Sequence, residues 1–211
     1  NDPYSASKAS SEIVTTAYRN SFFSKITSPR IATIRAGNVI GGGDWAKDRL
    51  IPDFVRAVIR KEKIKVRNPE YTRPWQFVLE PLSGLLWLAV NMTKKPNYSE
   101  AWNFGPPIDR EQFTVKSMLK NLFAEWQIQK SIIVEATDEK LHEEKFLNID
   151  SSKAKKVLGW KSVYSLKESI SETSSWYKLF SENEDEIKDY SIKQIHDYEN
   201  KGKQLNLPWA E

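Results

Sequence analysis

Apolar residues along the chain recur either at helical spacing or in short runs, and the two patterns alternate. The clearest helical spacing lies over residues 50–61, which place on one stripe Ile51, Phe54, Val55, Val58 and Ile59. Short runs between turn residues, such as residues 30–35 after Pro29, are typical of buried strands. Because strands alternate with helices, the pattern predicts an α/β fold with mostly parallel strand pairing.

The predicted elements cover most of the chain. Helices are expected over residues 3–23, 50–61, 81–92, 114–126, 150–159 and 165–180, and strands over residues 30–35, 64–67, 76–80, 101–105, 132–134 and 146–149. The helix over residues 81–92 is apolar nearly all round, which predicts that it is well buried. Residues 36–45 contain three consecutive glycines and are predicted to form a loop. The charge-dense tail, residues 182–203, is expected to be a surface helix.

The first helix carries the first candidate chemistry. Asp2 can cap this helix and Pro3 suits its first position, where no backbone N–H is needed. Tyr4 and Lys8 lie four residues apart and therefore project from one face. An ammonium beside a phenol favours the phenolate, which makes a tyrosine usable as a general base. The alternative is a surface Tyr and a surface Lys that share a helix face by chance.

Composition and charge exclude several classes of protein. The net charge is +4, from 32 Lys and Arg against 28 Asp and Glu, which is too mild to indicate nucleic-acid binding. The chain has no Cys, and the positions of its two histidines, His142 and His196, do not predict a metal site. The longest apolar run, residues 85–90, is too short to span a membrane, and from the polar first residues we expect no signal peptide.

Two arginines stand near turns in a short stretch that also contains a tryptophan. Arg67 and Arg73 are six residues apart, and Trp75 follows closely. Guanidinium groups suit phosphate oxygens, and an indole suits stacking against a base. The pattern is consistent with an anionic small molecule, although solvated arginines beside turns remain the simpler interpretation of the residues by themselves.

Several stretches together resemble a known family. They are Asp-Pro-Tyr-Ser-Ala-Ser-Lys at residues 2–8, Arg-Ala-Gly-Asn-Val-Ile-Gly-Gly-Gly-Asp-Trp at 35–45, Thr-Arg-Pro-Trp-Gln at 72–76 and Ala-Trp-Asn-Phe-Gly-Pro at 101–106. On these motifs the chain resembles the extended short-chain dehydrogenase/reductase family, and within it the CDP-glucose 4,6-dehydratase group. The resemblance runs from residue 1 to about residue 180. One departure is Phe77, which stands where this group usually has a histidine.

The resemblance implies a role for each matching residue. Tyr4 would take the proton from the sugar 4-hydroxyl, and Lys8 would hold the nicotinamide ribose and lower the pKa of Tyr4. NAD would be bordered by the turn that contains Ala36, Asn38 and Val39. A nucleotide sugar would be bound by Asn38, Arg49, Arg67, Arg73, Trp75 and His142.

The resemblance also implies a division of the chain and an activity. Residues 1–45 would be the last part of a Rossmann-type NAD-binding domain and residues 46–180 mainly a nucleotide-sugar-binding lobe, with some segments returning to the Rossmann sheet. Residues 181–211 would be a charged helical tail. The implied reaction is NAD-dependent 4,6-dehydration of CDP-glucose in the cytoplasm, by a homo-oligomer. The alternatives are another nucleotide-sugar dehydratase or epimerase, or a truncated binding or assembly module.

The family's glycine-rich pyrophosphate turn does not occur in this sequence. The resemblance places that turn, together with the residues that assist water loss, upstream of the tyrosine. We therefore expect that the chain on its own is inactive and binds NAD poorly.

Overall fold

The computed structural model describes residues 2–25, 27–107, 113–128, 135–136 and 144–211. Its helices are α1 (Pro3–Phe22), α2 (Leu50–Arg60), α3 (Leu79–Lys94), α4 (Val115–Glu125), α5 (Leu166–Glu182) and α6 (Ile187–Gln204). Its strands are β1 (Thr33–Ala36), β2 (Asn38–Ile40), β3 (Lys65–Val66), β4 (Trp75–Phe77), β5 (Ala101–Phe104) and β6 (Glu135–Ala136). The predicted α/β class is confirmed.

The strands pair in three parallel ladders, β1 with β5, β2 with β4, and β3 with β6. Parallel partners are connected through helices, which is why each pair is distant in sequence. In the second ladder Asn38 lies opposite Trp75. This register brings the motif after the first strand next to the arginine-rich stretch, which is the main contribution of the fold to the site.

Helix starts were predicted well, because a cap is a local signal. The Asp2 side chain accepts a hydrogen bond from the Ser5 N–H at the start of α1. Thr114 caps α4 in the same way. Ser165 and Glu168 form a complete capping box at the start of α5.

The largest apolar core lies between α2, α4 and α5. Its buried members include Phe54, Val55, Met118, Leu122, Ile170 and Tyr177. A second core packs α3 and β5 against a short π-helical turn, Ala154–Leu158, and contains Trp102, Phe104 and Trp160. The fold therefore buries aromatic rings from sequence-distant segments around the strands.

Several predicted elements differ from the structure. The first strand is shifted to Thr33–Ala36 and is mainly exposed rather than buried. The predicted glycine loop contains β2, because residues 38–40 pair with β4. Residues 146–149 do not form a strand, since Phe146 makes only an isolated bridge with Thr72. The strand expected over residues 132–134 lies outside the described residues.

Helix α3 is less buried than its apolar composition predicts. Leu88 and Glu80 are buried, whereas Leu82, Leu85, Leu86 and Val90 are exposed. An all-round apolar helix is buried only if neighbours cover every face, and the described part of the chain covers one side of α3. None of the described helices is long and apolar enough to cross a membrane.

The tail helix α6 lies on the body of the protein. Tyr198, Leu207 and Ala210 form a small third core with Val163. Glu80 of α3 is buried beneath this core, and its carboxylate accepts hydrogen bonds from the backbone N–H groups of Val163 and Tyr164 and from the Tyr198 hydroxyl. The tail is therefore a packed element despite its dense charge.

Candidate functional site

A cavity of about 940 Å³ opens along β2 and at the end of β1. Eight of the ten predicted site residues line it: Tyr4, Ala36, Asn38, Val39, Arg49, Arg67, Arg73 and Trp75. Lys8 is not among the lining residues, and His142 lies outside the described residues. The fold thus gathers into one place residues that are spread over 72 positions from Tyr4 to Trp75.

Tyr4 stands on the first turn of α1, where its side chain is 71% exposed and borders the cavity. The Lys8 Nζ atom lies 5.5 Å from the centroid of the Tyr4 ring. Four-residue spacing on a helix produces this contact, as the sequence predicted. The arrangement gives a phenol with a cation beside it at the edge of the cavity.

The turn between β1 and β2 is held close to the chain that precedes β4. The Asn38 N–H donates to the Pro74 carbonyl oxygen at 2.9 Å. A Cβ atom at Gly37 would lie 2.1 Å from that same oxygen, so only glycine permits the approach. This close contact sets Ala36, Asn38 and Val39 along the cavity wall.

Arg49 lies at the cavity rim and is paired with a carboxylate. Its Nη1 atom is 2.8 Å from Asp44 Oδ2, and the Ala46 N–H donates to Asp44 Oδ1 at 3.0 Å. Burial opposes the charged form of Asp44, but these bonds outweigh burial and hold the pKa of Asp44 below its ordinary value. The same pairing raises the pKa of Arg49. Asp44 was not predicted as a site residue.

The other two predicted arginines, Arg73 and Arg67, differ in their hydrogen-bond partners. Arg73 Nη1 donates to the carbonyl oxygens of Thr72 and Glu144, both at 2.9 Å. Within the part of the chain that the structure describes, Arg67 has neither a hydrogen bond nor an ion pair. Arg67 is therefore the cavity arginine that is best placed to accept an anion without first losing a protein partner.

Trp75 forms part of the wall rather than an exposed stacking platform. Its side chain is only 5% exposed and belongs to the largest core. The neighbouring Phe77 is also buried and packs against the Tyr164 ring, with centroids 5.6 Å apart. Phe77 does not line the cavity, so its replacement of the usual histidine places an apolar ring in the core.

Sequence reasoning missed polar residues on the far wall of the cavity. Asn103 Nδ2 donates to the Asp150 carbonyl oxygen at 3.0 Å, and Arg35 Nη1 donates to Asn103 Oδ1 at 3.3 Å. In β5 the polar Asn103 stands between the buried rings of Trp102 and Phe104. This two-residue alternation, which turns Asn103 away from the core, was the available signal.

Residues 1–173 match the family model described as GDP-mannose 4,6 dehydratase. The chain belongs to this family. None of the described residues forms a group of His, Cys, Asp and Glu side chains that would hold a metal ion.

Two relatives show how the match is distributed. The chain is 41% identical over 202 residues to the CDP-glucose 4,6-dehydratase of Salmonella typhimurium, which covers 93% of this chain and 55% of that protein. It is 26% identical over 184 residues to a dTDP-glucose 4,6-dehydratase of Xanthomonas campestris pv. campestris, covering 84% of this chain and 49% of the relative. The chain spans about half the length of the curated relatives that it matches.

Solved structures support the same fold. The dTDP-glucose 4,6-dehydratase of Bacillus anthracis, solved in complex with NAD, superposes with a TM-score of 0.71 at 22% identity and covers 90% of this chain and 55% of that chain. The UDP-glucose 4-epimerase of Thermotoga maritima gives a TM-score of 0.70 at 22% identity, with 83% and 53% covered. The fold is the partial Rossmann-type α/β fold of the extended short-chain dehydrogenases, as the sequence predicted.

Proposed function

We propose that this chain is the nucleotide-sugar-binding and catalytic-base part of a CDP-glucose 4,6-dehydratase. The observation that carries the proposal is that one cavity joins Tyr4, the Ala36–Val39 turn and four arginines, among them the three predicted ones. The 41% identity to the Salmonella enzyme supports CDP-glucose over other nucleotide sugars. The proposal places the protein in the cytoplasm and expects a homo-oligomer.

In this proposal the chain's own residues bind and orient the sugar nucleotide. Arg67 and Arg49 bind the diphosphate, since guanidinium groups pair with phosphate oxygens in a bidentate way. Asn38 donates to the diphosphate region from the cavity wall. Tyr4 takes the proton from the sugar 4-hydroxyl as C4 is oxidised, and the Lys8 ammonium lies beside the Tyr4 ring.

The residues present fit the nicotinamide end of NAD. Tyr4 and the turn that contains Ala36 and Val39 face the same cavity, and Lys8 lies beside the Tyr4 ring. Held there, NAD would supply a reversible hydride acceptor for the oxidation at C4. The proposal divides the chain as the sequence predicted, with residues 1–45 toward the cofactor and residues 46–180 mainly toward the sugar nucleotide.

Ligand selectivity tests the substrate. Calorimetry with the purified chain should show that CDP-glucose binds more tightly than UDP-, GDP- or dTDP-glucose. Equal affinity for all four would support a sugar-nucleotide site without the proposed specificity. Tighter binding of another nucleotide would favour a different dehydratase or epimerase of the family. The absence of binding to any of them would contradict the proposal.

Catalysis by the chain alone is not expected, because it lacks the family's glycine-rich turn for the NAD pyrophosphate. Incubation with NAD and CDP-glucose should give no 4-keto sugar, measured by its absorbance in alkali. A chimera that joins residues 1–211 to the upstream half of the Salmonella enzyme should restore turnover. In that chimera Tyr4→Phe should lower kcat at least about 100-fold, as expected for loss of a general base. Tyr18→Phe on the same helix is the matched control.

A binding or assembly module without catalysis remains the second candidate. The exposed apolar faces of α1 and α3 favour it, since contiguous apolar surface marks interaction sites. In the chimera experiment this candidate predicts CDP-glucose binding without turnover.

A further inference from the structure

The glycine run at residues 41–43 rests directly on helix α5. A Cβ atom at Gly42 would lie 2.0 Å from the Trp176 ring atoms Cγ and Cδ2, so a side chain there would collide with the indole. Gly43 has a φ of +80°, which disfavours any residue with a side chain. These glycines therefore serve a close contact between a cavity loop and α5, rather than general flexibility.

The residues that follow the glycines are held by the same helix. The Tyr177 hydroxyl donates to the Asp44 carbonyl oxygen at 2.5 Å. The Trp45 ring packs edge-on against Tyr177, with centroids 5.1 Å apart, and at a tilt against Phe180, with centroids 5.4 Å apart. Tyr177 is 1% exposed, and burial raises its pKa to about 12, so it remains a donor at neutral pH.

The contacts between α5 and residues 41–45 affect the cavity through Asp44 and Arg49. The Asp44 backbone is bonded to Tyr177 while its side chain pairs with Arg49. Arg56 supports the same turn by donating to the carbonyl oxygens of Trp45 and Ala46. The Arg49 side chain is 66% exposed, so its direction depends on where the loop holds Asp44.

Trp176 of α5 also contacts the tail helix α6. Trp176 Nε1 donates to Ser191 Oγ of α6 at 2.9 Å, and the Trp176 ring stacks on Phe180 with centroids 5.3 Å apart. The indole is thereby fixed on one side by α6 and presents its face to Gly42 on the other. The Ser191 hydroxyl of α6 is thus connected through Trp176 to the loop at the rim of the cavity.

We propose that Trp176 and Tyr177 are positioning residues that fix the loop 41–45 on α5 and thereby set Arg49 for the diphosphate. The proposal rests on the proposed function for the identity of the ligand. Neither residue lines the cavity, so neither touches the sugar nucleotide. They act through the loop backbone and through Asp44.

The test combines hydrogen exchange with ligand binding on the full chain. Tyr177→Phe keeps the buried ring but removes the bond to the Asp44 carbonyl oxygen. It should accelerate exchange of the Ala46 amide, which Asp44 protects, and raise the Kd for CDP-glucose about three- to tenfold, as loss of one hydrogen bond predicts. Tyr18→Phe removes the same hydroxyl group from a tyrosine on the exposed helix α1. It should change neither the exchange rate of the Ala46 amide nor the Kd.

A second variant approaches the contact from the loop side. Gly42→Ala leaves α5 intact and should give the same two effects, because its methyl group displaces the loop from Trp176. Faster exchange with unchanged affinity would overturn the positioning role, and so would unchanged exchange in both variants. If the wild-type chain binds neither CDP-glucose nor inorganic pyrophosphate, the proposed function fails, and unchanged or accelerated exchange still decides whether α5 fixes the loop.

Discussion

Helices α1 and α6 differ in how the rest of the molecule covers them. Helix α1 has 20 residues, none of which is buried, and its Ile13 and Phe22 side chains are exposed. Helix α6 is more polar, yet Gln194, Tyr198 and Gly202 are buried against the body. The helix with the candidate base is therefore the less packed of the two, and the charged tail is the better packed.

The difference teaches that the neighbours of a helix decide its burial. Helix α1 is tied to the body by polar contacts, including those of Glu12 with Thr33 and Arg35. Helix α6 is tied by rings and by a buried carboxylate. We expect that the chemistry and the stability of the chain respond to separate substitutions.

The largest effect on stability is expected at Tyr198. Its ring stacks on Trp209 and meets Tyr164 edge-on, and its hydroxyl donates to Glu80 Oε2 at 3.0 Å. Tyr198→Ala should lower the free energy of unfolding by about 3–5 kcal/mol, because it leaves a cavity and removes a donor from a buried carboxylate. Urea unfolding measures this change.

The matched control for Tyr198 lies on the other helix. Tyr18→Ala removes an exposed ring from α1 and should change the free energy of unfolding by no more than about 0.5 kcal/mol. Losses of equal size at the two positions would contradict the comparison.

The next effect is a dependence of stability on pH that Glu80 controls. Burial raises the pKa of Glu80 from 4.5 to about 7, against the opposing effect of its hydrogen bonds from Tyr164, Val163 and Tyr198. A raised pKa means that the folded state binds the proton more tightly than the unfolded state. The stabilisation from protonated Glu80 is complete below pH 4.5 and is lost as pH rises through about 7.

Glu80→Gln isolates this contribution. Between pH 4.5 and 7 the free energy of unfolding of the wild type should fall by up to about 3 kcal/mol because of Glu80. The variant should lack this fall, because an amide does not titrate. The measurement is the difference between wild type and variant at each pH, from urea unfolding. Glu62→Gln, at an exposed position after α2, is the control. A difference that does not vary with pH would show that Glu80 keeps one charge state throughout.

Local signals allowed much of the fold to be predicted from the sequence. Asp2, Thr114 and Ser165 all cap helices as expected, because a cap depends on residues within one turn. The strand within residues 36–45 was missed, because its evidence is the pairing with β4. Glycines that permit a close backbone approach look the same in sequence as glycines of a flexible loop.

Residues that the family motifs selected from distant parts of the sequence lie together in the structure. Tyr4, Asn38 and Arg67 all line the cavity, and the roles that the resemblance implies for them stay predictions. Asp44 and Asn103 were missed because their places depend on contacts with Tyr177 and Asp150, which lie on distant segments. The burial of Glu80 could not be predicted from the sequence either, since an acidic residue at the start of a helix normally faces solvent.

The smallest effect is expected at the contact that ties α1 to β1. Glu12 accepts hydrogen bonds from Thr33 Oγ1 at 2.8 Å and Arg35 Nε at 2.9 Å. Burial opposes the charged form of Glu12, but these bonds outweigh burial and lower its pKa. The pKa shift of Glu12 is therefore opposite in sign to that of Glu80. Stability from Glu12 is present above its ordinary pKa and is lost as pH falls through the lowered value.

Glu12→Gln should therefore lower the free energy of unfolding at pH 7 by only about 0.5 kcal/mol, because the Arg35 partner is half exposed and solvent screens the pair. The cost should vanish in acid, below the lowered pKa. Glu70→Gln removes the charge from the largely exposed Glu70–Lys116 pair and should have no measurable effect. A loss at Glu12 as large as that at Tyr198 would mean that α1 is anchored as firmly as α6, and would remove the distinction between a loosely held helix with the candidate base and a tightly packed tail.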